Sequence, residues 1–369
     1  MPTQTRIAVL PAGDGPFEIR EATLPDPGPH EIVVRQLASG ICHSNLPRMY
    51  GPPPRTGDNL AGHESTGIVE ATGSAVERVR IGDRVIVTWV PRFESDGSRR
   101  RDSVRLAFAD GREISTAALF TWSEAIVVDD QFVLPLPDDI PAVPASILGC
   151  AVMTGAGAVV NTAGDASGTS VAIFGVGGVG LWAIAAARIA CADPIIAVDL
   201  TDEKLQMAKA FGATHLVNAT DADPVERIHD LTRSAIDLDG SGRPVAGVDV
   251  AIDCVGAPTT MTQIFRSARS MVLGRTRGGT AVLVGVPLTS VTLDALDFHL
   301  NEKRYIGSLA GSCRPDTDIP RFIDWFRRGL LDLEALVTRR YPLAEIPQAV
   351  ADLEAGRIVG RAVIDFSLR

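Results

Sequence analysis

Up to about residue 90 the chain alternates apolar and polar residues in short runs: Arg6–Leu10, Phe17–Ala22, Glu31–Ser39, Glu64–Thr72 and Asp83–Trp89. A period of two, broken by turns such as Pro25-Asp26-Pro27-Gly28-Pro29, predicts half-buried strands. Ser103–Ala109 and Arg112–Thr116 flank Asp110-Gly111, the pattern of a β-hairpin, and Ala125–Val128 reads as a further strand. Ser146–Val160 is apolar, contains glycine and reads as helical.

From Val171 the rhythm changes. Strand patterns at Val171–Phe174, Pro194–Val198, Thr214–Asn218, Asp249–Asp253 and Thr280–Val284 alternate with helical ones at Leu181–Ala192, Asp202–Phe211, Pro224–Ser234 and Thr259–Met271. Such alternation predicts an α/β, doubly wound parallel sheet of the Rossmann type. After about residue 305 come helical patterns at Ile319–Arg328 and Leu343–Ala355 and a last strand at Arg361–Phe366. The expected division is residues 1–152 with 305–369 as a β-rich domain, and 153–304 as a dinucleotide-binding domain.

The strand at Val171–Phe174 runs directly into Gly175-Val176-Gly177-Gly178-Val179-Gly180, and Asp199 ends the next strand about twenty residues on. Gly175 permits the tight turn, Gly177 lets the backbone approach a pyrophosphate, and Gly180 lets the helix pack on the strand. The N–H groups at the start of that helix, from Gly178 and Val179 onward, and the positive end of its dipole then face the phosphates. A carboxylate at Asp199 accepts from a free ribose 2′-hydroxyl and repels a 2′-phosphate. Leu200 and Thr201, next in the chain, supply no Arg to reverse that choice. The expected cofactor is NAD.

Composition narrows the class. With 46% hydrophobic and 22% charged residues among 369, the chain is globular rather than disordered. A net charge of −10 argues against nucleic acid or an anionic membrane as partner. The N-terminus has no apolar signal-like run, and the apolar helix Leu181–Ala192 carries Arg188 and is too short to span a bilayer. Five scattered cysteines do not make a disulfide framework, so a cytoplasmic location is expected. Cys191 reads as core at a helix end, Cys254 as a residue at a strand end beside the cofactor, and Cys313 carries no reading. The basic run at Arg99–Arg101 reads as a solvated loop.

Three segments carry soft ligands: Gly40-Ile41-Cys42-His43-Ser44, Gly62-His63-Glu64 and Leu148-Gly149-Cys150. Three protein ligands of thiolate and imidazole type, with a fourth position open, suit a catalytic zinc. Taken singly, Cys42 and Cys150 fit equally a buried small apolar role, and His63 a turn residue.

In order along the chain stand GICHS, GHE-x-x-G-x-V, Gly82-Asp83-Arg84-Val85, Gly149-Cys150 with Thr154-Gly155, GVGGVG with Asp199, and Gly285-Val286-Pro287. In these the chain resembles the zinc-dependent medium-chain dehydrogenase/reductase superfamily, in its alcohol dehydrogenase branch. The resemblance implies a β-rich GroES-like catalytic domain beside the Rossmann domain. It implies that Cys42, His63 and Cys150 ligate one catalytic zinc, with Glu64 behind it as a transient ligand. Ser44 would hydrogen-bond the alcohol and take its proton. His43 and Arg361 would face the pyrophosphate, and Lys204 the adenosine ribose beside Asp199. Val284 and Val286 would meet the nicotinamide carboxamide, Thr154 would pack near that ring, and Trp89 and Trp122 would wall the substrate pocket. A homodimer formed through edge strands is implied too, with Gly279–Pro287 holding the strand expected to make it.

The chain departs from the family at three places. Pro91 to Phe120 holds no cysteine, so no structural zinc is expected there and the Asp-Gly hairpin takes its place. Asn45 stands where the family has an Asp orienting the histidine ligand. Pro47 stands where relatives end a proton relay with a His, and proline carries no proton. The expected activity is hydride transfer between NAD and an alcohol or aldehyde, primary or aromatic. Two other readings are a reductase of a conjugated double bond on the same fold, and a protein that binds NAD without turning it over.

Overall fold

The computed structural model describes residues 3–51, 53–92 and 102–368, so the Arg99–Arg101 run lies outside the described residues. The chain divides into two compact units, one built from Met1–Cys150 with Arg314–Arg369 and one from Ala151–Cys313.

The first unit is built on the strand Glu31–Ile41, whose residues are nearly all buried. It pairs antiparallel with Ser65–Thr72, with Ala125–Asp129 and with Arg361–Asp365, at the centre of a seven-stranded sheet. Arg361–Asp365 in turn pairs parallel with Val337–Tyr341, so the C-terminal tail completes the sheet that the N-terminal half begins. A second sheet runs in the order Asn59–Leu60, Thr3–Leu10, Glu18–Leu24, Val104–Phe108 and Glu113–Thr116. Its last two strands are the Asp-Gly hairpin, with Gly111 at a φ of 83°, where a side chain would be strained. The hairpin joins the sheet through Ala22 opposite Phe108. Charge holds it there as well: Arg112 pairs with Asp58, which also pairs with Arg20, and the Arg20 guanidinium lies 5.5 Å from the Phe108 ring centre.

The second unit is a six-stranded parallel sheet in the order His215–Asn218, Ile195–Asp199, Val171–Phe174, Val250–Asp253, Thr280–Leu283 and Arg304–Gly307. The strand order reverses beside Val171–Phe174, and the glycine loop leaves the end of that strand, the place where open α/β sheets bind ligands. Helices Gly178–Ile189, Asp202–Phe211, Pro224–Thr232 and Pro258–Ser267 supply the crossovers.

Several expectations need correction. Arg304–Gly307 extends the parallel sheet, so the second unit continues to Cys313 rather than stopping near 304. For the same reason the Gly279–Pro287 segment is not an edge: Thr280–Leu283 is flanked on both sides, and Arg304–Gly307 is the edge strand. Arg304–Gly307 (RYIG) is only four residues long and ends in glycine, and Val337–Tyr341 (VTRRY) is mostly polar, so neither shows a clear strand pattern. Among the described residues the longest apolar helical run is Ala142–Ala163, 22 residues and mostly buried, rather than the helix after the glycine loop. Cys191 is exposed, at a left-handed φ of 58° just past its helix. Cys313 is buried, its thiol 3.3 Å from the Met153 carbonyl oxygen.

The C-terminal helix Ile346–Glu354 is fastened by one carboxylate. Asp352 accepts from the Tyr341 hydroxyl at 2.6 Å, Gln348 Nε2 at 2.8 Å and Arg357 Nη2 at 2.7 Å. These donors, the Tyr341 hydroxyl first, hold its pKa down at about 2. A depressed carboxylate stabilises the fold above its ordinary pKa and loses that contribution as pH falls through the depressed value. Asp352→Asn is therefore expected to lower the midpoint of thermal unfolding at pH 7. The gap from the wild type should close between about pH 4 and about pH 2. A gap independent of pH would show that the carboxylate's charge is not what fastens the helix.

Candidate active site

Two of the expected ligands sit beside the ends of strands, and the third lies within an irregular helix. Glu31–Ile41 stops before Cys42, which is still extended, at φ −110° and ψ 146°, and caps the one-turn helix His43–Asn45. His63 follows Gly62, which has a φ of 94° that only glycine takes without strain, and precedes the strand Ser65–Thr72. Cys150 lies in Leu148–Val152, a stretch of wide π-type turns. Such turns interrupt helices most often at functional sites. Thr88 fixes this third segment by donating its buried hydroxyl to the Gly149 carbonyl at 2.8 Å.

The three ligand atoms all lie within 4.8 Å of one another, with His63 Nε2 3.3 Å from Cys150 Sγ. Hydrogen bonding from Cys150 holds the Cys42 thiol well below its ordinary range against the effect of burial, helped by the charges of Arg361 and His63. The same bond and burial push Cys150 well above that range. A buried pair of thiols, one of them poised to ionise, together with an imidazole fits a borderline-soft divalent ion such as zinc.

Glu64 is not part of that group of three. It is fully buried, and its carboxylate pairs with the Arg361 guanidinium, itself only 4% exposed. Burial pushes Glu64 upward in pKa while Arg361 pulls against it. The pair also explains Gly40, whose Cα lies so close to the Glu64 carboxylate that no Cβ would fit. Ser44 is half-buried and His43 exposed in the turn after Cys42. Asn45 is buried; its Nδ2 donates to the Tyr50 hydroxyl at 3.1 Å, and its Oδ1 has no hydrogen-bond partner. Pro47 opens the next turn, Pro47–Tyr50.

In the second unit Gly175 has a φ of 83°, and a Cβ on Gly180 would collide with the Gly175 carbonyl. Gly177 faces open space, with nothing within 4 Å of a Cβ placed there. The helix Gly178–Ile189 begins at once, so the amides of Gly178 and Val179 fall in its first turn, where no intrahelical acceptor exists. Asp199 accepts from Val176 N at 2.9 Å and Leu200 N at 2.8 Å, with Lys204 Nζ 3.9 Å from its carboxylate. Val284 donates its amide to the Asp253 carbonyl, Val286 is 55% exposed, and Thr154 is half-buried on the helix Met153–Gly157.

The chain matches the family described as Alcohol dehydrogenase GroES-like domain over residues 28–138 and that described as Zinc-binding dehydrogenase over residues 178–328. It is 31% identical, across 98% of its length and the whole of the relative, to a putative alcohol dehydrogenase D of Mycobacterium tuberculosis. The chain belongs to the zinc-type alcohol dehydrogenases of the medium-chain dehydrogenase/reductase superfamily. Among solved structures, an alcohol dehydrogenase zinc-binding domain protein from Burkholderia ambifaria is similar with a TM-score of 0.83 at 29% identity, covering 99% of each chain. Benzyl alcohol dehydrogenase from Acinetobacter calcoaceticus follows at 0.80 and 25%, covering 98% of this chain and 99% of that one.

As a zinc-type alcohol dehydrogenase the protein is an oxidoreductase acting on CH–OH groups, and its substrates are small molecules. The family's cofactors are zinc and NAD(H). Of the two tryptophans expected to wall the substrate pocket, Trp89 is half-buried with its ring edge-on to the dehydrogenase's His63, centres 6.5 Å apart. Trp122 is core instead: it is fully buried against Phe17 and presents no surface to a pocket. Sequence reasoning missed Thr88 and Tyr50, and with them the pairing of Arg361 with Glu64. The glycines at 40, 62 and 149 were the available signal, since each marks a place where another segment crowds the backbone.

The buried ion pair generates a prediction. Arg361→Met removes the cation facing a buried carboxylate and should cost about 3–5 kcal/mol in urea unfolding. Adding Glu64→Gln should restore much of that loss. Equal losses in the single and double variants would show that packing, not charge, is what Arg361 contributes.

Proposed function

We propose that the protein is an NAD-dependent alcohol dehydrogenase/aldehyde reductase with one catalytic zinc and no structural zinc, acting on primary or aromatic alcohols. The observation that carries this reading is the convergence of Cys42, His63 and Cys150 from three distant segments, with Ser44 two residues along from the first. Bound zinc supplies Lewis acidity that makes an alcohol easier to ionise or a carbonyl easier to reduce. Ser44 accepts the proton from the alcohol and orients it. Pro47 holds no proton, so the route onward from Ser44 runs through water or differs altogether. The first-turn amides after Gly177 bind the pyrophosphate. Arg361 acts on the metal site through Glu64, whose carboxylate is the reserve ligand.

Asp199, with Lys204 beside it and Leu200 next in the chain, supports NAD over NADP. The edge-on contact of Trp89 with His63 supports a flat substrate, as does the likeness to a benzyl alcohol dehydrogenase. Asn45 bonded to Tyr50, together with Pro47, favours one other reading, a reductase of conjugated double bonds with a changed proton route.

The deciding experiment is elemental analysis of metal-replete, untagged protein alongside rates with benzyl alcohol and with an enone. About one zinc per chain is expected, lost together with alcohol oxidation in Cys42→Ala. NAD should give a kcat/KM at least tenfold above NADP. Enone reduction without alcohol oxidation would overturn the reading, and two zinc ions per chain would overturn its single-metal part.

We further propose a homodimer built on the edge strand Arg304–Gly307, near which Leu296, Leu300 and Leu309 are exposed. Light scattering should give twice the chain mass, and Ile306→Pro should reduce it to one. A wild-type protein that scatters as a monomer at micromolar concentration rules the dimer out.

A further inference from the structure

Trp122 and its neighbour Thr121 contribute no ligand atom, yet both are fully buried and both bond to segments that carry ligands. Trp122 N donates to the Ala61 carbonyl at 3.1 Å and Thr121 N to the Gly62 carbonyl at 3.2 Å, the two peptides before His63. On the other side of His63, the Glu64 carbonyl accepts from Ser39 Oγ at 2.9 Å and from Gly40 N at 3.1 Å, with Thr121 Oγ1 3.3 Å from it. Trp122 Nε1 donates to the Gly40 carbonyl at 3.1 Å, two residues before Cys42. Ser39 and Thr121 close the ring, with their hydroxyl oxygens 2.8 Å apart.

Gly62 shows how tightly the parts fit. A Cβ there would lie 2.5 Å from Thr121 Oγ1, 2.5 Å from Trp122 N and 2.6 Å from Trp122 Cδ1. The Trp122 ring is fixed from behind by Phe17, at 5.2 Å between centres.

We propose that Thr121 and Trp122 are positioning residues: they set the spacing of Cys42 and His63, and so the affinity of the site for its metal. Neither contributes a ligand atom. Outer hydrogen bonds that orient metal ligands typically govern affinity by about 10–100-fold. Here the orientation acts on the backbones that carry the ligands. A ligand pair whose spacing is fixed in advance loses little conformational freedom when the ion binds.

The inference rests on the metal reading of Cys42, His63 and Cys150, and its test separates the two. Zinc-loaded protein is mixed with excess chelator, and release is followed with a metallochromic dye. Trp122→Phe keeps the ring and removes the N–H; Thr121→Val keeps the shape and removes the hydroxyl. Ile126→Val trims the other core of the same unit and reports the effect of lost stability alone. Trp122→Phe and Thr121→Val are each expected to release zinc about tenfold faster than the wild type. Thr121→Ser should restore slow release, and Ile126→Val should leave it unchanged. Should Trp122→Phe fail to fold, Thr121→Val carries the test. Zinc-loaded Thr121→Val releasing metal at the wild-type rate overturns the proposal alone, as does equally fast release from Ile126→Val. A wild-type chain that takes up no zinc overturns this proposal and the metal reading together.

Discussion

Two thiols and an imidazole, at positions 42, 63 and 150, have to be brought within one coordination radius, and the first unit is arranged around that requirement. Donor atoms so close repel or hydrogen-bond one another, and the structure takes the second course: Cys42 is hydrogen-bonded to Cys150, whose Sγ lies 3.3 Å from His63 Nε2. Holding such a group costs chain entropy and desolvation of polar atoms. The cost is spread over three points of fixation, with Trp122 and Thr121 before His63, Gly40 before Cys42, and Thr88 beside Cys150.

Behind the ligands lies a second requirement, electrical rather than geometric. A carboxylate beside two potential thiolates, all buried, would be untenable without a compensating cation. Arg361 supplies it from the last strand of the chain. This ties the C-terminal tail to the site in two ways, by sheet pairing with Glu31–Ile41 and by charge. The tail is therefore as much a part of the site as the segments that bear the ligands.

Much of this was legible in the sequence, for identifiable reasons. The parallel sheet announced itself because buried strands are continuous apolar runs, and the helix Asp202–Phe211 was read to the residue because Thr201 and Gly212 bound a clear helical pattern. The hairpin was legible from Asp110-Gly111. Arg304–Gly307 and Val337–Tyr341 were not, because the first is too short and the second too polar to show a strand pattern, and both gain strand geometry from the partner they pair with. Within the site, Cys42, His63 and Cys150 were visible as residue types in family order. The residues that fix them were not: Thr88, Thr121 and Trp122 act through backbone carbonyls, and a carbonyl carries no mark in a sequence. Trp122 misled for a related reason, since an indole that walls a pocket and one that braces a loop look the same until their neighbours are known.

The hairpin Val104–Phe108 with Glu113–Thr116 has a consequence for how the protein matures. It is fastened by main-chain pairing to Glu18–Leu24 and by the charges of Arg20, Asp58 and Arg112, and nothing from Pro91 to Phe120 offers a thiolate. That lobe can reach its final shape on the ribosome's timetable, whatever the cellular supply of metal. For this hairpin, shape and metal supply are uncoupled: the pairing and charge that fix it come from the chain itself.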